Sequence, residues 1–175
     1  MRIEIKGDGV TLRQVGQEDL APLLAILRTP EVAERWAPPS EDDDEFEFLS
    51  GEGAADNETV ITFTIFEAER IVGWIASCEL NEPDMRHAGI DIFLAPDVHG
   101  RGLGPAAIRT LAAWLFDERG HHRIVIDPAA SNTKAVRAYE KVGFRKVGVM
   151  RQYERGADGS FHDGVLLDLL REDLR

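Results

Sequence analysis

Leu94-Ala95-Pro96-Asp97-Val98-His99-Gly100-Arg101-Gly102-Leu103-Gly104-Pro105 is the stretch on which the fold turns, because it joins a strand to the N-terminus of a helix through a glycine-rich turn. Ala88 to Ala95 reads as the strand, stopped by Pro96, and Ile108, Leu111, Ala112 and Leu115 recur on one face of the helix that Pro105 opens. Glycines let the backbone approach a ligand closely. The free N–H groups of such a turn and the positive end of the helix suit a phosphate or pyrophosphate. A Walker loop is excluded, since Pro105-Ala106 stands where Lys-Ser or Lys-Thr is needed. Gly102-x-Gly104-x-x-Ala107, with Asp127 ending the next strand, satisfies the dinucleotide pattern. Against that reading, Pro96 and several polar residues separate strand from glycine, and the chain holds one β-α-β unit and no second domain. A turn that is merely rich in glycine is the other alternative.

Working outward, Val10 to Arg13 reads as a short strand, and Glu18-Asp19 open an amphipathic helix with Leu20, Leu23, Leu24 and Leu27 at helical spacing. A second helical piece runs from Glu31 to Trp36. Between Trp36 and Arg70 there is no Lys or Arg, and Glu41, Asp42, Asp43, Asp44, Glu45, Glu47, Glu52, Asp56 and Glu58 make the segment an acidic flap, read as a short helix and a loop. Thr59 to Ala68 and Arg70 to Leu80, rich in Val, Ile, Thr, Phe and Trp, form a hairpin. Beyond the glycine turn and its helix, Arg123 to Ile126 is a strand and Ser131 caps a helix that Gly143 closes. Phe144 to Arg155 and Phe161 to Leu170 make a last hairpin across Gly156-Ala157-Asp158-Gly159. The order predicts one mixed α/β or α+β domain over residues 1–175, with a mostly antiparallel sheet flanked by helices.

Composition narrows the partners. The 175 residues fit one domain, and no apolar run approaches the roughly 18 residues of a membrane span. The start, Met1 to Lys6, alternates charge with apolar residues and lacks the apolar core of a signal peptide, which predicts a cytoplasmic protein. With 32 acidic against 20 basic residues the formal net charge is −12, which disfavours nucleic acid and anionic membranes and favours a cationic partner. The single cysteine, Cys78, permits no internal disulfide and is read as a buried structural thiol. His87, His99, His121, His122 and His162 show no metal-ligand spacing, so no metal is expected.

His99-Gly100-Arg101-Gly102-Leu103-Gly104 resembles the acyl-CoA pyrophosphate loop of the Gcn5-related N-acetyltransferases (GNAT), with His99 where that pattern has Gln or Arg. Leu94-x-Pro96, Asp127-Pro128-x-x-Ser131-Asn132 and Ala138-Tyr139-Glu140-Lys141-x-Gly143-Phe144 match the family's other blocks at its spacing. Gly89-Ile90-Asp91 and the Asp127 block look most like the aminoglycoside 6′-N-acetyltransferases. The ending, Gly159-Ser160-Phe161-His162-Asp163-Gly164 and Leu170-Arg171-Glu172-Asp173, looks instead like the ribosomal-protein N-terminal and polyamine acetyltransferases. The resemblance implies a GNAT fold, a central sheet splayed near Leu94 and Asp127, and acetyl-CoA as co-substrate. It implies transfer of acetyl to a primary amine, in the first place of an aminoglycoside. A protein N-terminus or a polyamine is the alternative acceptor, and a CoA-binding sensor without turnover the alternative of another class. Monomer and homodimer both stay open.

Acetyl transfer to an amine needs a neutral nitrogen, a fixed thioester carbonyl and a proton for the departing thiolate. The resemblance implies that Leu94, at a bulged strand end, offers a backbone N–H to the carbonyl. Ala95 and its neighbours would hold the pantetheine arm, and His99, Gly100, Arg101, Gly102, Leu103 and Gly104 the pyrophosphate. Tyr139 resembles the family's general acid, although it also lies on the apolar face of its helix. Asn132, just inside that helix, has an amide suited to the pantetheine. Alternation places Asp91 opposite Ile90 and Ile92 on a buried strand, where a carboxylate needs a partner and can take the ammonium's proton. Asp127 resembles a second acid for a polycationic acceptor; a turn-starting Asp-Pro is the plainer alternative. Trp36 and Trp74 are candidate walls for a flat ligand face, with a core role as the alternative.

Overall fold

The computed structural model describes residues 2–40, 43–52 and 58–175, so Glu41, Asp42 and Asp56 of the acidic flap lie outside the described residues. Runs rich in Val, Ile, Thr, Phe and Trp in the middle of the chain build the long strands of one sheet. Its strands are β1 (Glu4–Lys6), β2 (Thr11–Gln14), β3 (Glu58–Glu67), β4 (Arg70–Leu80), β5 (His87–Leu94), β6 (Arg123–Ile126), β7 (Arg145–Arg155) and β8 (Phe161–Leu170). They lie in the order β1-β2-β3-β4-β5-β6-β8-β7, and every described pairing is antiparallel except β5 with β6. The mixed, mostly antiparallel sheet expected from the sequence is therefore present.

Helices cover both faces. On one face α4 (Leu103–Asp117) buries Ala107, Ile108, Leu111, Ala112 and Leu115 against Leu12, Phe63, Ile65, Ile75, Ile90 and Ile124. The stripe has the spacing that sequence periodicity requires of a half-buried helix. On the other face α1 (Leu20–Leu27), α2 (Pro30–Ala33) and α3 (Glu45–Ser50) place Leu23, Leu24, Leu27, Val32 and Leu49 over Trp74, Ala76 and Phe93. Asp44 starts α3 by accepting from the N–H groups of Phe46 and Glu47, both at 2.9 Å, so part of the acidic run is engaged in capping. α5 (Thr133–Val142) ends at Gly143, whose φ of +119° favours glycine and whose Cβ would strike the Asp173 carbonyl.

One short parallel pairing opens the sheet. β5 and β6 meet only at Ala88 with Ile124 and Gly89 with Val125, after which the two strands part. Meanwhile β6 stays paired with β8 along its full length, from Arg123 with Leu170 to Ile126 with Leu167. The sheet is thereby split into two halves, with residues 90–94 of β5 on one lip and Asp127 on the other.

Several expectations are corrected. β1 was not legible, being a three-residue edge strand. α4 begins at Leu103, before Pro105, with Gly102 as its N-cap, and proline in the first turn still loses no helical bond. α5 is capped by Asn132, not Ser131: Asn132 accepts from Ala135 N–H at 3.3 Å, while the Ser131 hydroxyl receives a bond from Arg35 at 3.0 Å. No bulge interrupts β5 against β4, because the register is unbroken from Leu80 with His87 to Gly73 with Leu94.

Candidate active site

The chemistry of the split follows from the hydrogen-bonding parity of β5. Ala95 N–H donates to Val72 C=O at 2.8 Å, which continues the β4 ladder. In an antiparallel ladder, alternate residues turn their amides to opposite edges. The backbone groups of Leu94 and Ile92 therefore face away from β4, toward the gap that β6 has vacated. Divergence of β6, rather than a bulge, leaves the Leu94 N–H open to a ligand. The Leu94 carbonyl is already engaged, 3.0 Å from His99 Nε2, so His99 braces the strand end from inside the following turn.

That turn is built as a cradle. Gly100 and Gly102 have φ of +77° and +86°, a region that costs L-residues strain, and nothing lies within 4 Å of where their Cβ atoms would be. Gly102 caps α4 without a side chain, and the helix's first N–H groups have no intrahelical acceptors. A Cβ added at Gly104 would lie 3.2 Å from Leu94 Cδ1, so the start of α4 packs closely on the end of β5. Arg101 extends from the loop and pairs with Glu67 at 2.6 Å, an exposed contact that is easily exchanged. Open backbone N–H groups at a helix N-terminus suit an anion such as a diphosphate.

Two carboxylates flank the gap, Asp91 on the β5 lip and Asp127 on the other. Asp91 is on the β5 face shared with Phe93, and burial first, then the charge of Asp127, pushes its carboxyl up to about 6. Glu154 adds to that, while a hydrogen bond from Cys78, with Sγ 3.8 Å from Oδ2, partly offsets it. Burial beside Asp91 in turn pushes the Cys78 thiol up to about 12, so it is not a nucleophile at neutral pH. Cys78 is half-buried rather than fully buried, beside Asp91 on the same face of the sheet. Tyr139, on α5, is raised above the ordinary phenol value by burial and by the fields of Asp91 and Asp127. It stays protonated throughout the physiological range.

The remaining expected residues divide. Trp74 is 7% exposed, stacks on Phe93 with centroids 5.5 Å apart, and donates its indole N–H to Leu49 C=O at 2.9 Å. Both its face and its polar atom are taken, which fits the core alternative. Trp36 stands edge-on to Trp74 and Phe93, at 5.7 and 5.8 Å, and is half-buried beside the face that carries Asp91. Asn132 uses its amide oxygen as helix cap and leaves its NH2 group for other partners. His121 and His122 precede β6 rather than lying in it; His121 is buried against Glu79 at 2.7 Å and His122 is exposed. Among the described residues no group of three or more His, Cys, Asp or Glu is placed to hold a metal ion, and no helix is long and apolar enough to cross a membrane.

One contact was not foreseen. Tyr153 donates its hydroxyl to Asp127 Oδ2 at 2.6 Å, and that bond, with the local negative field, raises the phenol to about 12. No signal in the sequence gives this pair, because the two residues are far apart in the chain and an irregularity in β7 brings them together.

A glycine turn at a helix N-terminus beside an opened strand edge, with Asp91 on one lip and Asp127 on the other, suits an enzyme that moves an acyl group onto an amine. Comparison with known proteins agrees. Residues 10–145 match the Acetyltransferase (GNAT) domain, and the chain belongs to that family. The aminoglycoside N(6′)-acetyltransferase type 1 of Klebsiella pneumoniae is 31% identical over 82% of this chain and 77% of its own length. Spermidine N(1)-acetyltransferase of Vibrio cholerae is 28% identical over 79% and 80% respectively. The crystal structure of aminoglycoside acetyltransferase AAC(6′)-Ib in complex with coenzyme A and kanamycin superposes with a TM-score of 0.75, at 30% identity over 94% of this chain and 96% of that one.

Proposed function

We propose that the protein transfers the acetyl group of acetyl-CoA to a primary amine of a polycationic small molecule, an aminoglycoside in the first place. The observation that carries this reading is the pair Asp91 and Asp127 facing an opened strand edge that ends in an anion cradle. Acetyl-CoA supplies an activated thioester carbonyl, and the chain's kinship with coenzyme-bound AAC(6′)-Ib supports the same donor here. Gly100, Gly102, Leu103 and Gly104, with Arg101 nearby, hold the diphosphate on backbone N–H groups. Leu94 and Ala95 run alongside the pantetheine, and the Asn132 amide reaches it from the opposite lip. The outward N–H of Leu94 donates to the carbonyl oxygen and stabilises the negative charge that develops there.

Asp91 binds the acceptor ammonium and accepts its proton, which frees a lone pair for attack. A carboxyl held near 6 is ionised at neutral pH yet basic enough for the task. Tyr139 then gives its proton to the departing thiolate. Asp127 takes a second ammonium, which suits a polyamine or amino sugar better than a monoamine. Trp36 presents its exposed flank to the ring or chain of the acceptor. A linear polyamine is the second reading, favoured by the likeness to the spermidine enzyme.

Thiol release from acetyl-CoA by the purified protein, measured with kanamycin, spermidine and short peptides bearing free N-termini, tests the reading. Turnover with kanamycin supports it, and turnover with spermidine alone selects the second reading. Turnover only with peptides, or none with acetyl-CoA bound, overturns both.

A further inference from the structure

Tyr153 is placed on Asp127 by three separate features of the last hairpin. β7 and β8 lose register between Met150 and Glu154, so the strand is kinked where Tyr153 sits. The kink is held by Gln152, at φ +50°, whose N–H donates to Asp163 Oδ1 at 2.8 Å. On β8, Gly164 makes room for the ring, since a Cβ there would come within 2.8 Å of Tyr153 Cδ1. The segment after Asp127 is fastened to the same strand, with Val165 N–H to Pro128 C=O at 2.9 Å and Ala130 N–H to Asp163 C=O at 2.8 Å. Phenol and carboxylate therefore ride on one rigid unit. A left-handed non-glycine residue and a glycine cut to fit a ring are local concessions that packing alone does not demand, because Tyr153 remains 47% exposed.

We propose that Tyr153 is a positioning residue for the acceptor: its hydroxyl occupies Asp127 Oδ2 and turns Oδ1 toward the gap, so that one further ammonium is bound in a fixed place. This rests on the reading that Asp127 binds an acceptor cation. A carboxylate held at one oxygen presents its other in a set direction, whereas a free one rotates and prefers solvent. Selectivity for an acceptor whose second nitrogen lies at a particular distance from the first follows directly.

The test is a double-mutant cycle on the full chain with Tyr153→Phe, Asp127→Asn and both together. Kanamycin is the polycation and glucosamine the single amine. Tyr153→Phe keeps the ring and removes only the hydroxyl, and a melting temperature within about 2 °C of wild type checks its fold. A hydrogen bond to a half-exposed charged group sets the expected size, roughly a five- to tenfold rise in KM for kanamycin. kcat stays within about twofold by the same reasoning, since uniform binding alone is lost, and KM for acetyl-CoA and for glucosamine is unchanged. In the Asp127→Asn background, Tyr153→Phe adds nothing further. An unchanged kanamycin KM in Tyr153→Phe, an equal rise in both backgrounds, or a loss carried by kcat overturns the proposal. If Asp127→Asn itself leaves the kanamycin KM unchanged, the functional reading of Asp127 fails first and the proposal with it. Where turnover is too slow, calorimetric titration with kanamycin reads the same cycle in Kd, and no binding by wild type overturns both.

Discussion

Replacing Asp91 by Asn separates what the site needs from what the fold prefers. A carboxyl raised from 3.8 to about 6 by burial is an ionised group held where it would rather be neutral. Its folded-state value lies above that of the free side chain. The favourable contribution is therefore present below about pH 4, where Asp91 is protonated in both states, and is lost as pH rises through about 6. At pH 7.5 the two-unit difference corresponds to at most about 3 kcal/mol of destabilisation. Asn carries no charge and matches the neutral carboxyl in shape. Asp91→Asn is expected to stabilise the protein at pH 7.5 by about 1–3 kcal/mol, which raises the melting temperature by several degrees in a chain of this size. At pH 4.5 the gain falls to about a third of that. Urea unfolding at both pH values measures it, with thiol release from acetyl-CoA in parallel. Turnover is expected to fall by at least about 10² as the base is lost. A variant less stable than wild type at pH 7.5, or equally stabilised at both pH values, refutes the reasoning about buried charge.

Three further outcomes follow from other parts of the molecule. Tyr139→Phe loses only a hydroxyl, so kcat falls by about 10² while calorimetry finds acetyl-CoA affinity within about twofold; an unchanged kcat removes Tyr139 from the proton path. Gly102→Val meets open space but places a β-branched residue at φ +86°, and should raise KM for acetyl-CoA about tenfold through distortion of the cradle. Steady-state kinetics with acetyl-CoA varied checks this. Far from the site, Glu79 is fully buried between His121 at 2.7 Å and Arg119 at 3.2 Å. Glu79→Ala strands both partners and should cost about 3 kcal/mol, seen as a lower urea midpoint at pH 7.5.

Much of this architecture is legible in the sequence for physical reasons. β3, β4 and β5 bury long runs rich in Val, Ile, Thr, Phe and Trp, residues that pack well on a pleated surface and lose χ1 freedom in a helix. The loop from His99 to Gly104 stands out as a candidate anion site because its glycines adopt positive φ before a helix N-terminus. Asp91 is exposed as a candidate by being a carboxylate on a buried strand. Other features depend on contacts that residue order does not carry. Trp74 reads equally as ligand wall or as core until α3 brings Leu49 C=O to its indole. Ser131 and Asn132 are both good caps, and only Arg35, distant in sequence, decides between them. The bulge expected near Leu94 and the divergence found there expose the same N–H group, but only the strand pairings distinguish them. Tyr153 reaches Asp127 through an irregularity in β7 that has no local signature.

The pH dependence of kcat/KM for acetyl transfer to kanamycin, in wild type and Asp127→Asn, tests the central claim most directly. Asp91 as the base predicts an acid limb near pH 6 in the free enzyme. Removing the neighbouring charge of Asp127 moves that limb to lower pH, because this charge helps hold the Asp91 carboxyl up. A limb that stays in place in Asp127→Asn, or a profile flat through pH 6, contradicts the account.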